Sequence, residues 1–368
     1  MAFVLIGIFV LYAMMVFCLQ LGWQEAVHRK HQVNTPVDHV ISVLVPVRNE
    51  AHHIASLLDD LLGQNFPKER FEVIVIDDHS EDQTVQVVQE KIKSVSNTIV
   101  IQSNGQGKKA AITTGVQQAN GTIIVTTDAD CRVGSDWLAS IHSAFENETV
   151  KMVFGPVRIQ PDRTLFSKIQ GLEFASLVGT GAATAVFGNP TMCNGANLAY
   201  RTEVFTEAGG YSGNEMIASG DDEFLMRKTF ARYPTGIRFN NSKNSIVTTQ
   251  SQSSLSAFVL QRLRWAGKWK HSQDVFTKLL AVFIFVFHFS TLLLLVLLGL
   301  NQVHAVLVLA LFLVKGISEF IFLRAVTSWL KVQWNWPSFL ALQIFYAPYA
   351  IGIGLVSLFK TPEWKGRK

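Results

Sequence analysis

Hydrophobic and polar positions change their period three times along this chain. Residues 1–23, MAFVLIGIFVLYAMMVFCLQLGW, form one apolar run long enough to span a bilayer. From residue 40 the runs shorten. ISVLVPV (41–47), FEVIVID (71–77), TIVIQ (98–102) and TIIVTTD (122–128) are rich in Val and Ile and do not alternate strictly. That is the pattern of strands buried on both faces. The stretches between them have helical spacing. Ile54, Leu57, Leu58, Leu61 and Leu62 share one helical face, as do Val85, Val88, Ile92 and Val95. Strand alternating with helix predicts βαβ units and a mainly parallel sheet, an α/β fold class. Beyond residue 150 the pattern loosens. FGPVRI reads as one short strand, and MCNGANLAYRTEVFTEAGGY as a turn-rich loop followed by a short helix. SGDDEFLMRKTFARY reads as a helix with an acidic start, and SLSAFVLQRLRWAGKWKHS as an amphipathic helix. Three apolar blocks follow at about 277–300, 303–324 and 338–359. Trp329, Trp334, Trp336, Tyr346 and Tyr349 flank or punctuate them as interfacial belts do.

Composition supports that division. Of 368 residues 49% are hydrophobic and 16% charged, too apolar for a typical soluble enzyme, and the excess sits at the two ends. The first run lacks a basic n-region and a small-residue cleavage site, so it reads as a retained anchor rather than a signal peptide. HRKH (28–31) follows it, which under the positive-inside rule places residue 28 onward in the cytosol. The expected organisation is an anchor over 1–27, a cytosolic domain over 28–275, membrane helices over 276–360 and a basic tail over 361–368. Three crossings after a cytosolic domain leave the C-terminus outside, whereas KTPEWKGRK is basic and favours the inside. Either one block is re-entrant or interfacial, or the tail departs from the rule. Lys315 and Glu319, four apart in the second block, are expected to face each other, in a structural pair before a substrate role. Cys18, Cys131 and Cys193 show no CxxC spacing and imply no disulfide framework, which suits a reducing cytosol. A net charge of +4, with basic residues near the membrane ends, points to anionic lipid and not to nucleic acid. The membrane part lacks inverted halves, which argues against a transporter.

Ligands of a parallel sheet bind at the carboxyl ends of its strands. Arg48, Asn49 and Glu50 follow the first strand, Asp77, Asp78, His79 and Ser80 the second, and Asp128 and Asp130 the fourth. Two carboxylates in a D-x-D turn can share a hard divalent cation that relieves their repulsion and takes phosphate oxygens as further ligands. Asp77 and Asp78 suit a nucleotide base and ribose, with capping of the next helix through Asp78 or Ser80 as a compatible structural role. Lys108 and Lys109 follow NGQG at a helix start, a natural phosphate site, although the spacing is not that of a Walker A loop. Asp221, Asp222 and Glu223 are either helix N-terminal charge or include a general base. Gln261, Arg264 and Trp265 share a helix face, where Arg offers a fork to phosphate and Trp a flat face to a sugar. Cys131 reads as incidental packing.

In this order VPVRNE, DDHS, GKKAAITTG, TTDAD, GDDEF and QRLRW resemble the membrane-bound family-2 glycosyltransferases with the GT-A fold. The resemblance covers about residues 40–270 and the terminal helices. The pattern is similar to that of cellulose, hyaluronan and poly-N-acetylglucosamine synthases and of ceramide-glucosyltransferase-like enzymes, and WKGR near the C-terminus resembles the last group. The resemblance implies a nucleoside pocket lined by Pro46, Arg48, Asn49 and Glu50. It implies contacts of Asp77 and Asp78 with uracil or ribose, and Lys108 as the family lysine. Asp128 and Asp130 are implied to hold the donor diphosphate and Mg2+ or Mn2+. Asp222, beside Asp221, is implied as the catalytic base. Gln261, Arg264 and Trp265 are implied to hold the diphosphate and the acceptor end, and Asn194 and Gly195 to lie in an acceptor loop. His79 stands where many relatives have Gly, and GDD replaces ED. The expected activity is inverting transfer of a sugar from a nucleotide-sugar, a UDP-sugar above all, to a hydroxyl. The expected setting is the cytosolic face of the plasma (inner) membrane. The acceptor is either a lipid or lipid-linked sugar, glycosylated once, or a growing polysaccharide that is extended and exported. The contrasting class is a catalytically retired nucleotide-binding membrane protein, which is expected to have lost the base or the D-x-D.

Overall fold

The structure, a computed structural model, describes residues 2–29, 39–160, 162–215, 217, 219–268 and 274–359. The expected basic tail, together with Lys30 and His31, lies outside the described residues. In chain order the elements begin with α1 (Ala2–His28), β1 (Ile41–Val47), α2 (Ile54–Leu62), β2 (Phe71–Asp77), α3 (Thr84–Ile92), β3 (Thr98–Gln102) and α4 (Lys108–Gln118). Next come β4 (Ile123–Thr126), α5 (Trp137–Ala144), β5 (Met152–Phe154), β6 (Val157–Gln160), α6 (Leu165–Val186), β7 (Leu198–Arg201) and α7 (Thr202–Glu207). The remainder is α8 (Asp221–Arg232), β8 (Ile237–Phe239), β9 (Val247–Gln250), α9 (Leu255–Gly267), α10 (Val275–Gly299), α11 (Ala305–Leu330) and α12 (Trp336–Phe359). The chain forms two compact units. One comprises Glu25–Gln160 and Thr184–Gln250, the other Met1–Gln24, Pro161–Ala183 and Ser251–Lys368.

The first unit is an α/β layer built on a seven-stranded sheet of order β3-β2-β1-β4-β7-β5-β8. β1 is flanked in parallel by β2, with Ile41 opposite Phe71, and by β4, with Ile41 opposite Ile123. It therefore has no edge, and Ile41, Val43, Leu44 and Val45 are completely buried, as their unbroken apolar run demands. α2 buries Ile54, Leu57, Leu58 and Leu61, the face its spacing predicted, while Leu62 is half-buried. From β1 the chain moves outward through β2 to β3, then crosses to the other side of β1 for β4. That reversal opens a crevice outside the carboxyl ends of β1 and β4, the place where open α/β sheets take ligands.

Beyond β4 the sheet departs from the sequence pattern. β7 is antiparallel to both β4 and β5, so the sheet is mixed although mostly parallel. A four-residue strand inside a turn-rich stretch carries too little period to be read. FGPVRI is not one strand. β5 ends at Phe154 and β6 starts at Val157, pairing β9 in a separate two-stranded sheet. Pro156 has no N–H to continue the ladder. The space where Gly155 would carry a Cβ is filled by the Asn197 side chain, 2.2 Å away. Asn197 donates to Pro156 O at 2.9 Å and Ser245 O at 2.7 Å and accepts from Trp137 Nε1 at 3.1 Å, so one buried amide pins the break.

Among the described residues, four helices are long and apolar enough to cross a membrane: α1, α10, α11 and α12. Lys315 Nζ donates to Glu319 Oε2 at 2.9 Å, and Gln343 Oε1 accepts from the same lysine at 2.7 Å. Gln343 Nε2 and the Tyr12 hydroxyl each donate to Glu319, at 2.6 Å. Three helices thus share one closed polar knot, which satisfies groups that lipid could not.

Candidate functional site

The turn after β1 and the turn after β2 are stitched together. Asn49 N donates to Ser80 Oγ at 3.0 Å, and Glu81 N returns a bond to Asn49 Oδ1 at 2.8 Å. Glu50 N donates to Thr84 Oγ1 at 2.8 Å. Asn49 has φ 54, a left-handed value that Asn tolerates better than most residues. His79 has φ 57, which accounts for glycine at this place in the resembled family. Asp77 and Asp78 are buried at the end of β2. Asp77 accepts from Ser80 N at 3.2 Å, and Asp78 Oδ1 accepts from Gly107 N at 3.0 Å. The approach to α3 is tied not by Asp78 or Ser80, as expected, but by Asp82, which accepts from Thr84 N at 2.9 Å and Ala51 N at 3.2 Å. Pro46 lies within β1 opposite Ile76, and Arg48 is buried with its Nη2 3.7 Å from Glu81.

The acidic groups gather around one lysine. Lys108 Nζ lies 2.7 Å from Asp128 Oδ1 and 3.3 Å from Asp221 Oδ2. Burial alone would lower the Lys108 pKa; the carboxylates of Asp128 and Asp221 outweigh it and raise it. Burial would likewise raise that of Asp221, and the Lys108 ammonium holds it below the usual carboxylate range. Asp222 is oriented by the backbone: Gly195 N donates to its Oδ2 at 3.1 Å and Glu223 N to its Oδ1 at 2.7 Å. Thr126 Oγ1, at the end of β4, donates to Gly195 O at 2.7 Å. A Cβ on Gly195 would come within 2.9 Å of Asp221 Oδ2 and 3.1 Å of Lys108 Nζ, so a larger residue here would displace the ends of those two side chains. Asn194 accepts from Ala196 N at 2.9 Å and shapes the short turn that presents Gly195.

The lysines of GKKAA part company. Lys109 does not join Lys108. It is buried, donates to Asn214 O at 2.6 Å and Ile217 O at 2.8 Å, and lies 4.9 Å from the Phe224 ring centroid. Adjacent positions on a helix point about 100° apart, so one lysine faces the acids and the other anchors a loop.

Asp130 carries the cost of the D-x-D turn. Burial, then Asp128, then Glu50 push its pKa up. Cys131 Sγ lies 3.6 Å from Asp130 Oδ1, and its thiol pKa is raised by burial and by both aspartates, so it stays a protonated donor rather than mere packing. No group of three or more His, Cys, Asp or Glu among the described residues could by itself hold a metal ion. Two carboxylates in one turn, one of them pushed toward its neutral form by its neighbours, still fit a Mg2+- or Mn2+-type cation that takes its other ligands from water and phosphate.

Gln261, Arg264 and Trp265 belong to α9 in the other compact unit. There Arg262 contacts two of them, Gln261 and Trp265. Its guanidinium lies 4.2 Å from the Trp265 ring centroid and 4.4 Å from that of Phe258, and it donates to Gln261 Oε1 and to both oxygens of Glu173. Sequence reading passed over Arg262. The signal was the spacing Phe258, Arg262, Trp265, which sets a cation between two rings on one helix face.

Comparison with known proteins places these observations. The sequence model of the family described as Glycosyl transferase family 2 matches residues 42–209. Glycosyltransferase AglE of Haloferax volcanii is 29% identical over 195 residues, 52% of this chain and 62% of the relative. Beta-monoglucosyldiacylglycerol synthase of Trichormus variabilis is 26% identical over 234 residues, 61% of this chain and 48% of the relative. The chain thus spans about half to three fifths of these relatives. Among solved structures, mannosyltransferase PcManGT from Pyrobaculum calidifontis, in complex with GDP-Man and Mn2+, superposes with TM-score 0.59 at 18% identity. That match covers 97% of this chain and 98% of that one. The fold is GT-A, with one apolar helix before the sheet domain and three after it.

Proposed function

We propose, from the premise that this chain carries a glycosyl transferase family 2 domain, that it transfers a sugar from a nucleotide-sugar to a hydroxyl of a lipid or lipid-linked acceptor at a membrane face. The observation that carries the reading is the convergence of Lys108, Asp128, Asp221, Asp222 and Gly195 at the crevice outside β1 and β4. In this reading Asp222 takes the proton of the acceptor hydroxyl, whose oxygen bonds to the anomeric carbon as the bond to the diphosphate breaks. One displacement inverts the anomeric centre, as the family resemblance implies. Asp221, paired with Lys108, serves to orient that ammonium rather than as the base. Lys108 offsets charge on the leaving diphosphate, and Arg48, Asn49, Glu50, Asp77 and Asp78 frame the nucleoside, uridine by resemblance. A divalent cation held by Asp128 and Asp130 would neutralise further charge on the departing group. The four apolar helices and a relative named for a glucosyldiacylglycerol product support a lipid acceptor. The orientation proposed is cytosolic, at the plasma (inner) membrane.

The test is a membrane assay with a panel of radiolabelled nucleotide-sugars, comparing the native chain with Asp222→Asn. Label should enter the organic phase, and the variant should lose roughly 10²–10⁴ of the rate with unchanged insertion. Label retained in high-mass polymer would replace the lipid acceptor by polysaccharide extension. No transfer from any donor by the native chain would mark a retired scaffold, and full activity in Asp222→Asn would remove Asp222 as base.

A further inference from the structure

Lys109 is the lysine of GKKAA that stands apart from the acidic cluster, and its place is a costly one. It sits in the first turn of α4, where the helix dipole disfavours a cation, and it is 7% exposed. A buried ammonium needs compensating partners. Lys109 Nζ donates to Asn214 O at 2.6 Å and Ile217 O at 2.8 Å, and the Phe224 ring centroid lies 4.9 Å away. These partners belong to the stretch of chain that leads into the acids. Between α7 and α8 there is no helix or strand among the described residues. Gly213 (φ 82) and Gly220 (φ 79) are left-handed, so local backbone preference leaves the path open. Asn214 O also accepts from Ile217 N at 3.2 Å, which closes the turn that Lys109 grips. Upstream, Lys228 of α8 donates to Gly210 O at 2.9 Å and Ser212 O at 2.8 Å.

Phe224 N donates to Gly220 O at 2.9 Å, the first bond of α8, so Phe224 stands one turn from Asp221 on the same side of the helix. Lys109 therefore holds α8 both by its lead-in and by its first turn. The neighbouring Lys108 meets Asp221 Oδ2 at 3.3 Å, and Gly195 N meets Asp222 Oδ2 at 3.1 Å. All of these groups lie within one compact unit. Side chains at adjacent helix positions diverge by about 100°, so α4 fixes α8 at two separate points, once on the acid and once on the chain before it. We infer that Lys109 is a positioning residue, which sets the entry of the chain into α8 and with it the placement of Asp221 and Asp222 relative to Lys108 and Gly195. It acts through the backbone at Asn214 and Ile217 and not on substrate. The inference rests on the reading above that Asp222 is the base.

The test compares Lys109→Met with the native chain, by turnover in membranes counted per donor-binding site and by amide hydrogen exchange of the full chain in detergent. Lys109→Met keeps the apolar stem and removes the ammonium. Transfer kcat should fall roughly 10- to 100-fold, the scale on which misplaced reacting groups cost rate, while donor KM stays within about twofold. Amides of 210–224 should exchange at least about tenfold faster, with those of β1 unchanged. A lysine that only adds stability would lower the amount of folded protein and leave kcat per site and local exchange native, and that result overturns the inference. A raised donor KM with native kcat overturns it too, since the lysine would then serve the donor pocket. Should Lys109→Met fail to accumulate, Lys109→Gln takes its place. It keeps a donor for the carbonyls and buries no charge, and the same split is expected at about threefold, native kcat again overturning the inference. Full activity in Asp222→Asn overturns the reading of the base and the inference with it, whereas an inactive Asp222→Asn beside a native Lys109→Met overturns the inference alone.

Discussion

Asp130 bears the repulsion of the acidic turn. Its pKa is raised by burial, by Asp128 and by Glu50, so its ionised form is disfavoured in the folded state. A raised carboxyl pKa contributes stability at low pH, where the group is neutral in both states, and that contribution fades as pH climbs through the folded value. Asp130→Asn should therefore raise Tm at neutral pH in chelator, by about 2–4 °C for each kcal/mol relieved, with the gap closing below the ordinary Asp range. Added Mn2+ should raise Tm of the native chain and not of the variant. Equal Tm values at neutral pH would show that Asp130 is not strained. The residue types here were legible in the sequence, since Asp128, Asp130, Asp221 and Asp222 stand out in it. Lys108 as the common partner of Asp128 and Asp221 was not, because a side chain's direction around a helix depends on where the helix packs. The same holds for Cys131, whose thiol meets Asp130 only because both are turned inward.

Elements in this fold are held apart as deliberately as they are joined. The break between β5 and β6 lets one segment serve two sheets, and Asn197 closes it with three hydrogen bonds. Gly155→Ala would drive a methyl to 2.2 Å from Asn197 Nδ2, so either that amide or the strand end must move. Loss of about 2–4 kcal/mol is expected, from overpacking and one or more unsatisfied buried groups. Chemical denaturation of the variant should expose it, and a native midpoint would show the amide free to shift. The strands of the first half were legible because central parallel strands need continuous apolar runs. β7 was not, because an antiparallel four-residue strand between β4 and β5 is specified by its neighbours rather than by its own period.

At the scale of the whole chain, the apolar helices carry few charges, and the described ones within α11 are engaged. Lys315, Glu319, Gln343 and Tyr12 form one satisfied cluster, so removing a single member strands its partners. Lys315→Met is expected to cost about 3–5 kcal/mol, seen as a fall in Tm in detergent. The double change Lys315→Met with Glu319→Met should recover part of that loss. A double variant less stable than the single one would show that the charges contribute more than mutual compensation.

The sequence by itself determined the classes of segment: the long apolar segments at the two ends, the buried strands at the start of the sheet, the amphipathic helices, and acidic residues at strand ends. Those are local properties, since burial on one or both faces writes its period directly into the chain. The tertiary structure alone decided which of those residues meet. Sheet register brought Thr126 to Gly195 and Gly195 to Asp222, and helix orientation turned Lys108 toward the acids and Lys109 away. Packing among α6, α9 and α12 placed Arg262 against Glu173, 89 residues away along the chain. Contacts at such separation follow from how layers stack, and no local pattern records them.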